Sequence, residues 1–207
     1  MQATRLLTGA FAAAFEQFQE LYVRWVAVSN KIGLTLPDST LTLSVQRVGR
    51  LDLVARALED ERFDSSQPIN DFPTHLLRDE CQGMISELWV GSVYEIVRLL
   101  EERKLVSLSE EFKRLHDDLR MVRIPVEKLE IARGSKLPPT QEFARIPARE
   151  GDEPHAYRHK DPQRSHILPM RLSARGSTSW LVLDAETMQE KWVERRALSD
   201  EVLALWS

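Results

Sequence analysis

The sequence predicts a mainly α protein: an antiparallel four-helix bundle, a Pro-rich basic wrap, and a small C-terminal cap of β-hairpin and short helix. Three observations carry this expectation. Apolar residues recur at alternating spacings of three and four along four long segments before residue 133. Between 134 and 165 the periodicity lapses, and Pro138, Pro139, Pro147, Pro154 and Pro162 accumulate. Beyond 166, two runs rich in strand-forming residues flank the turn-like ARGST. The expected division is therefore 1–133 for the bundle, 134–165 for the connecting segment and 166–207 for a cap packed on the bundle.

The first helix is read over residues 4 to 29, because Leu7, Phe11, Ala14, Phe18, Leu21, Trp25 and Val28 form one seam. Asn30 and Gly33 follow as stop signals. The start of the chain imitates a signal peptide, but the seam runs unbroken through the would-be cleavage site. A second helix is expected after Pro37, capped by Ser39 or Thr40, with Leu41, Ser44, Val48, Leu51, Ala55 and Leu58 as its seam. DSSQPIN (64–70) reads as a loop.

The third helix is expected from a cap at Asp71 to Lys104. Its apolar positions (Leu77, Cys81, Met84, Ile85, Leu88, Trp89, Val93, Ile96, Val97, Leu100) cover more than one stripe, the pattern of the most buried helix. In the fourth, Ser107 and Glu110 match a capping box, and Phe112, Leu115, Leu119, Val122, Val126 and Leu129 form the seam. Pro125 falls inside it and predicts a kink. In the cap, HILPMRLS (166–173) and SWLVLD (179–184) are the expected hairpin. EKWVER (190–195) suits a third strand or a helix, and Ser199 is placed to cap a closing helical turn.

With 43% hydrophobic and 29% charged residues the composition is that of a soluble globular protein, expected in the cytoplasm. A net charge of −4 argues against a surface that coats nucleic acid throughout. Cys81 is the only cysteine, which excludes an internal disulfide and a cysteine-based zinc site; its apolar neighbours predict a buried thiol. No apolar run is long enough to cross a bilayer.

Two places attract chemistry. From 133 to 175, nine cations (Arg133, Lys136, Arg145, Arg149, Arg158, Lys160, Arg164, Arg171, Arg175) outnumber five acids, with Tyr157 and three histidines interleaved. Such a segment can contact phosphates and stack on a base; its plainer reading is a solvated loop paired with acidic helices. The other place is the stripe His116, Arg120, Arg123, Glu127, Glu130 on one face of the fourth helix, either an anion site or a salt-bridged surface.

No catalytic constellation is complete. A glycine-rich phosphate loop and a nucleophile elbow are absent. His155, His159 and His166 with Asp152 or Asp161 are a weak metal set, and Glu80, Glu87 and Glu95 lack the Glu-x-x-His partners of a di-metal bundle. No metal or cofactor is expected. HEPN ribonucleases are helical bundles in which an Arg is followed several residues later by a His on one helix; here Arg123 leads to Leu129, and Arg149 with His155 lies in the Pro-rich segment.

The expected function is a non-enzymatic accessory or interaction protein, acting on a protein partner through a helix face and the C-terminal cap. Trp180, Trp192 and Trp206 are its candidate interface residues, since Trp buries much area with few rotamers. A homo-oligomer through a bundle face fits the same pattern. The alternative is a module binding RNA or single-stranded DNA through the 133–175 cations with Arg120 and Arg123; the third reading is a degenerate helical-bundle ribonuclease.

Overall fold

The computed structural model describes residues 2–36, 40–63, 72–143 and 153–206. Among them the chain is mainly helical, with α1 (Ala3–Gln17), α2 (Gln19–Gly33), α3 (Leu41–Asp60), α4 (Phe72–Glu102), α5 (Glu110–Lys128) and α6 (Arg195–Trp206). Five short strands, β1 (Gln141–Phe143), β2 (His155–Tyr157), β3 (Met170–Leu172), β4 (Thr178–Asp184) and β5 (Gln189–Glu194), form two antiparallel sheets. None of the described helices is long and apolar enough to cross a membrane. The expected loop at 64–70 and the caps at Ser39 and Asp71 lie outside the described residues.

The single helix expected over 4–29 is broken. Phe18 leaves helical dihedrals (φ −123°, ψ 41°), dividing α1 from α2, and the Phe15 and Tyr22 rings meet edge to face across the break. No proline or glycine marks the place, so the seam spacing runs on as though the helix did. The two halves differ in burial. On α2, Trp25, Val28 and Ile32 enter the core; on α1 only Ala14 does, and Leu7 and Phe11 stay exposed.

α3 lies against α2, α4 and α1. Gly49 lets α2 approach closely, since a Cβ there would sit 2.7 Å from Cγ of Trp25. Thr40 begins α3 without a side-chain cap bond.

α4 is not buried on every side. Trp89, Val90, Val93, Val97 and Leu100 are core, but Leu77, Met84 and Leu88 are exposed, and so is Cys81, against the expectation of a buried thiol. The reason is that the inward face of its N-terminal half is polar: Gln82 and Ser86 bond Thr178, and Gln82 also donates to the Gly176 carbonyl. α5 starts two residues after the expected capping box: the Ser109 hydroxyl accepts from the Phe112 N–H at 3.2 Å. Phe112, Leu115, Leu119 and Val122 then enter the core, and the helix runs through Pro125 to Lys128, where Leu129 adopts positive φ and is exposed.

The hairpin expected at ARGST forms between β3 and β4, with Gly176 at φ +74° in its turn. β5 is the third strand, so Trp180 faces Met170 on one side and Val193 on the other. α6 follows β5 directly at Arg195, five residues earlier than a Ser199 cap implies; Ser199 is buried inside the helix. One core joins α2 to α5 with Trp180, Val182, Val193, Leu198, Leu203 and Trp206 of the cap. The Pro-rich segment supplies the β1–β2 pair and a smaller core around Ile131, Leu137, Tyr157 and Leu183.

Leu119→Ala removes a fully buried side chain and is expected to cost about 2–5 kcal/mol in urea unfolding. Leu77→Ala, on the exposed face, is expected to change stability by less than about 0.5 kcal/mol. Equal losses would contradict this division of core from surface.

Candidate functional site: the groove between α3 and α4

Between α3 and α4 lies an open cleft of about 340 Å³, lined by Leu41, Ser44, Arg47, Val48, Leu51, Ser92, Glu95, Ile96 and Leu99. Four of these, Leu41, Ser44, Val48 and Leu51, are the expected seam of the second helix. Their spacing puts them on one face, but here that face meets solvent: Leu41 and Val48 form a buried floor, and Leu51, Ile96 and Leu99 are half-buried walls. The charged rim is asymmetric. Glu95 is neutralised by Arg98 (2.8 Å) and Arg123 (3.2 Å), whereas Arg47 has no ion-pair partner among the described residues.

A buried ionic network joins the same helix to the C-terminal cap. Asp52 and Glu59, both fully buried, clamp the fully buried guanidinium of Arg195: Nη1 lies 2.5 Å from Asp52 Oδ1, and Nε donates to Glu59 Oε1 at 2.8 Å. Trp25 Nε1 and Arg56 Nε donate to Asp52 at 2.9 and 3.1 Å, while Arg56 Nη2 reaches Asp200 at 2.6 Å. Ser177 donates to Glu59 at 2.7 Å, and Arg195 lies over the Trp89 ring. Burial pushes the Asp52 carboxyl up, but Arg195, Arg56 and the Trp25 N–H together hold it below its ordinary value. These bonds attach the cap to α3. The network was missed from sequence, although Asp52, Arg56 and Glu59, spaced four and three on a helix otherwise read as apolar-seamed, were its signal.

The α5 stripe forms a salt-bridged surface, the plainer of its two readings. Arg123 pairs with Glu127 (2.7 Å) and Glu95, Arg120 with Asp117 (3.5 Å), and Glu130 with Arg164 (2.5 Å). His116 Nδ1 lies 2.5 Å from Glu101; burial pushes its imidazole below the ordinary value against the opposing pull of that carboxylate. The basic segment is likewise engaged. Arg133 and Lys136 both pair with Glu186, Arg133 also with Asp117, and Arg175 with Glu194 (2.6 Å) and Asp200 (3.1 Å). Arg158, Lys160 and Arg171 have no ion pair among the described residues, and Arg171 stacks on Trp192 at 3.9 Å. Arg145 and Arg149 lie outside the described residues.

Of the tryptophans expected at an interface, Trp180 and Trp206 are core residues, needed to cover the inner side of the cap; only Trp192 is exposed. His155 Nε2 is 3.1 Å from the Ser165 carbonyl, and His166 packs on Phe143, its pKa pushed down to about 4 by burial with His155 nearby. Among the described residues no three His, Cys, Asp or Glu are grouped to hold a metal. Comparison with protein families, curated proteins and solved structures finds no match for this chain.

Arg195→Ala leaves two buried carboxylates without their cation and is expected to cost about 3–5 kcal/mol in urea unfolding. The folded-state pKa of Asp52 is depressed, so its contribution is complete above the unfolded-state value and fades as pH falls through the folded one. Asp52→Asn is therefore expected to flatten the acid limb of the stability profile; an unchanged acid limb would contradict the assignment.

Proposed function

We propose that the chain is a non-enzymatic interaction protein that receives an apolar, carboxylate-bearing helix of a protein partner in the α3–α4 groove. One observation carries the reading: half-buried Leu51, Ile96 and Leu99 wall an open groove over a buried apolar floor, with Arg47, which has no ion pair among the described residues, at its rim. Leu51, Ile96 and Leu99 suit apolar anchors recurring every three or four residues, and Arg47 suits an acidic residue beside them. We take α2 to α5 as an antiparallel four-helix bundle that serves as the rigid scaffold. Supporting this, Trp25 meets Asp52 while Ser29 meets Gln46, the order of antiparallel neighbours. Cap residues Trp192 and Arg171 form a second contact region on this reading. A lone, exposed Cys81 suits a reducing compartment such as the cytoplasm.

Nucleic-acid binding is the second reading, supported by Arg158, Lys160 and Arg171, whose charges no carboxylate among the described residues neutralises. Fluorescence anisotropy of a labelled single-stranded RNA, titrated with salt, separates the two. The expected result is no binding at low salt, because most of the described candidate cations are already paired. Tight binding with a steep salt slope, flattened by about one unit in Arg158→Ala, would overturn the interaction reading in favour of RNA.

A further inference from the structure

We infer that this chain forms a two-fold dimer in which α1 of each copy lies along the exposed face of α4 of the other. The inference is independent of the groove, which occupies the opposite half of α4.

Two apolar faces are left exposed among the described residues. On α4, Leu77, Cys81, Met84 and Leu88 recur at four, three and four, so they share one face, and the three large ones are 60%, 56% and 62% exposed. On α1, which lies against α3, the seam that is core along α2 continues through Phe11 to Leu7, yet Leu6, Leu7, Phe11 and Phe15 stay largely exposed. A 15-residue helix with one buried residue has little tertiary packing to hold it, and isolated helices of this length are marginal in water. Its apolar side therefore needs an occupant.

A second copy fits by apolar exposure, place and charge. The leucines, phenylalanines and methionine of the two faces are each 39–62% exposed, and apolar area gathered in this way marks an interaction surface. Both faces border the same end of α3. Gln17 of α1 donates to Asp60, and Arg62, just beyond, bonds Asp79 and Gln82 of α4. One two-fold axis there satisfies both faces at once, as an isologous contact requires. Glu80 and Glu87 flank the α4 face without an ion pair among the described residues, and desolvation raises the Glu87 carboxyl. α1 carries only Arg5 and Glu16 as charges, so it brings a cation to that flank.

The other occupants fit less well. Antiparallel pairing of α4 with its own copy would set Glu80 and Glu87 against the same residues of the second copy. A membrane surface calls for a strongly basic polar face, which α1 lacks.

Sedimentation velocity of the full chain across micromolar concentrations tests the proposal, with Leu7→Glu and Leu88→Glu as variants. Both positions are exposed in the protomer, so circular dichroism should report an unchanged fold. The expected result is a dimer of 23.9 kDa chains, whose dissociation constant weakens at least ~100-fold in each variant. Cys81, covered in the dimer, is expected to react more slowly with a thiol reagent in the wild type than in Leu7→Glu. A monomer at every concentration overturns the proposal. So does a dimer that neither variant weakens, and so does one weakened by Leu88→Glu alone, which would mean that α4 pairs without α1.

Discussion

The guanidinium of Arg195 is the constraint on which the rest of the molecule hangs. It is fully buried at the junction of β5 and α6, and its counter-charges stand two helical turns apart on α3. Two anions at a fixed separation define a position as well as a charge balance. They fix how far along α3 the cap sits, and with it the register in which Trp180, Val182 and Val193 meet the helices. Burying ions is costly, and an apolar triad of equal volume would often be at least as stable. What the ions supply is a single docking position, because sliding the cap by one turn would strand every charge in the set.

The remaining charges follow a similar logic at the surface. Arg175, Arg164, Arg133 and Lys136, from the basic part of the chain, reach across to acids on other elements, so a segment rich in proline is tied down at several points. Each exposed pair contributes little by itself. Their collective consequence is that the cations expected to make a binding surface are mostly spent on the fold. Among the described side chains without an ion pair, Arg47 stands at the groove and Glu80 and Glu87 beside the α4 face, as do Arg158, Lys160 and Arg171 in the basic segment.

Helix positions were legible in the sequence because periodicity reports which residues share a face. Periodicity does not report what covers that face. Leu77, Met84 and Leu88 have the spacing of a core and are exposed, since Gln82 and Ser86 give the opposite side of α4 its contact with β4. The break at Phe18 was invisible for a related reason: it conserves the seam and changes only its partner. At Ser199 a favourable cap residue misled, because β5 delivers the chain into helical geometry at Arg195, where the buried ion pairs demand it. The candidate groove was half legible. Its lining residues were identified as one seam, but their exposure depends on where α4 passes.

A polar residue on an apolar seam and an apolar residue on a polar surface are the two departures from pattern in this chain. They have opposite consequences. Asp52 and Glu59, polar in the core, are paired with Arg195 within the chain and join the cap to α3. Leu7, Phe11, Met84 and Leu88, apolar at the surface, are left exposed among the described residues. Hydrophobic free energy grows with the apolar area removed from water, so these residues would realise theirs in the dimer inferred above. The protomer's unspent stabilisation is thus concentrated on α1 and on one side of α3 and α4, while its buried charges hold that side in place.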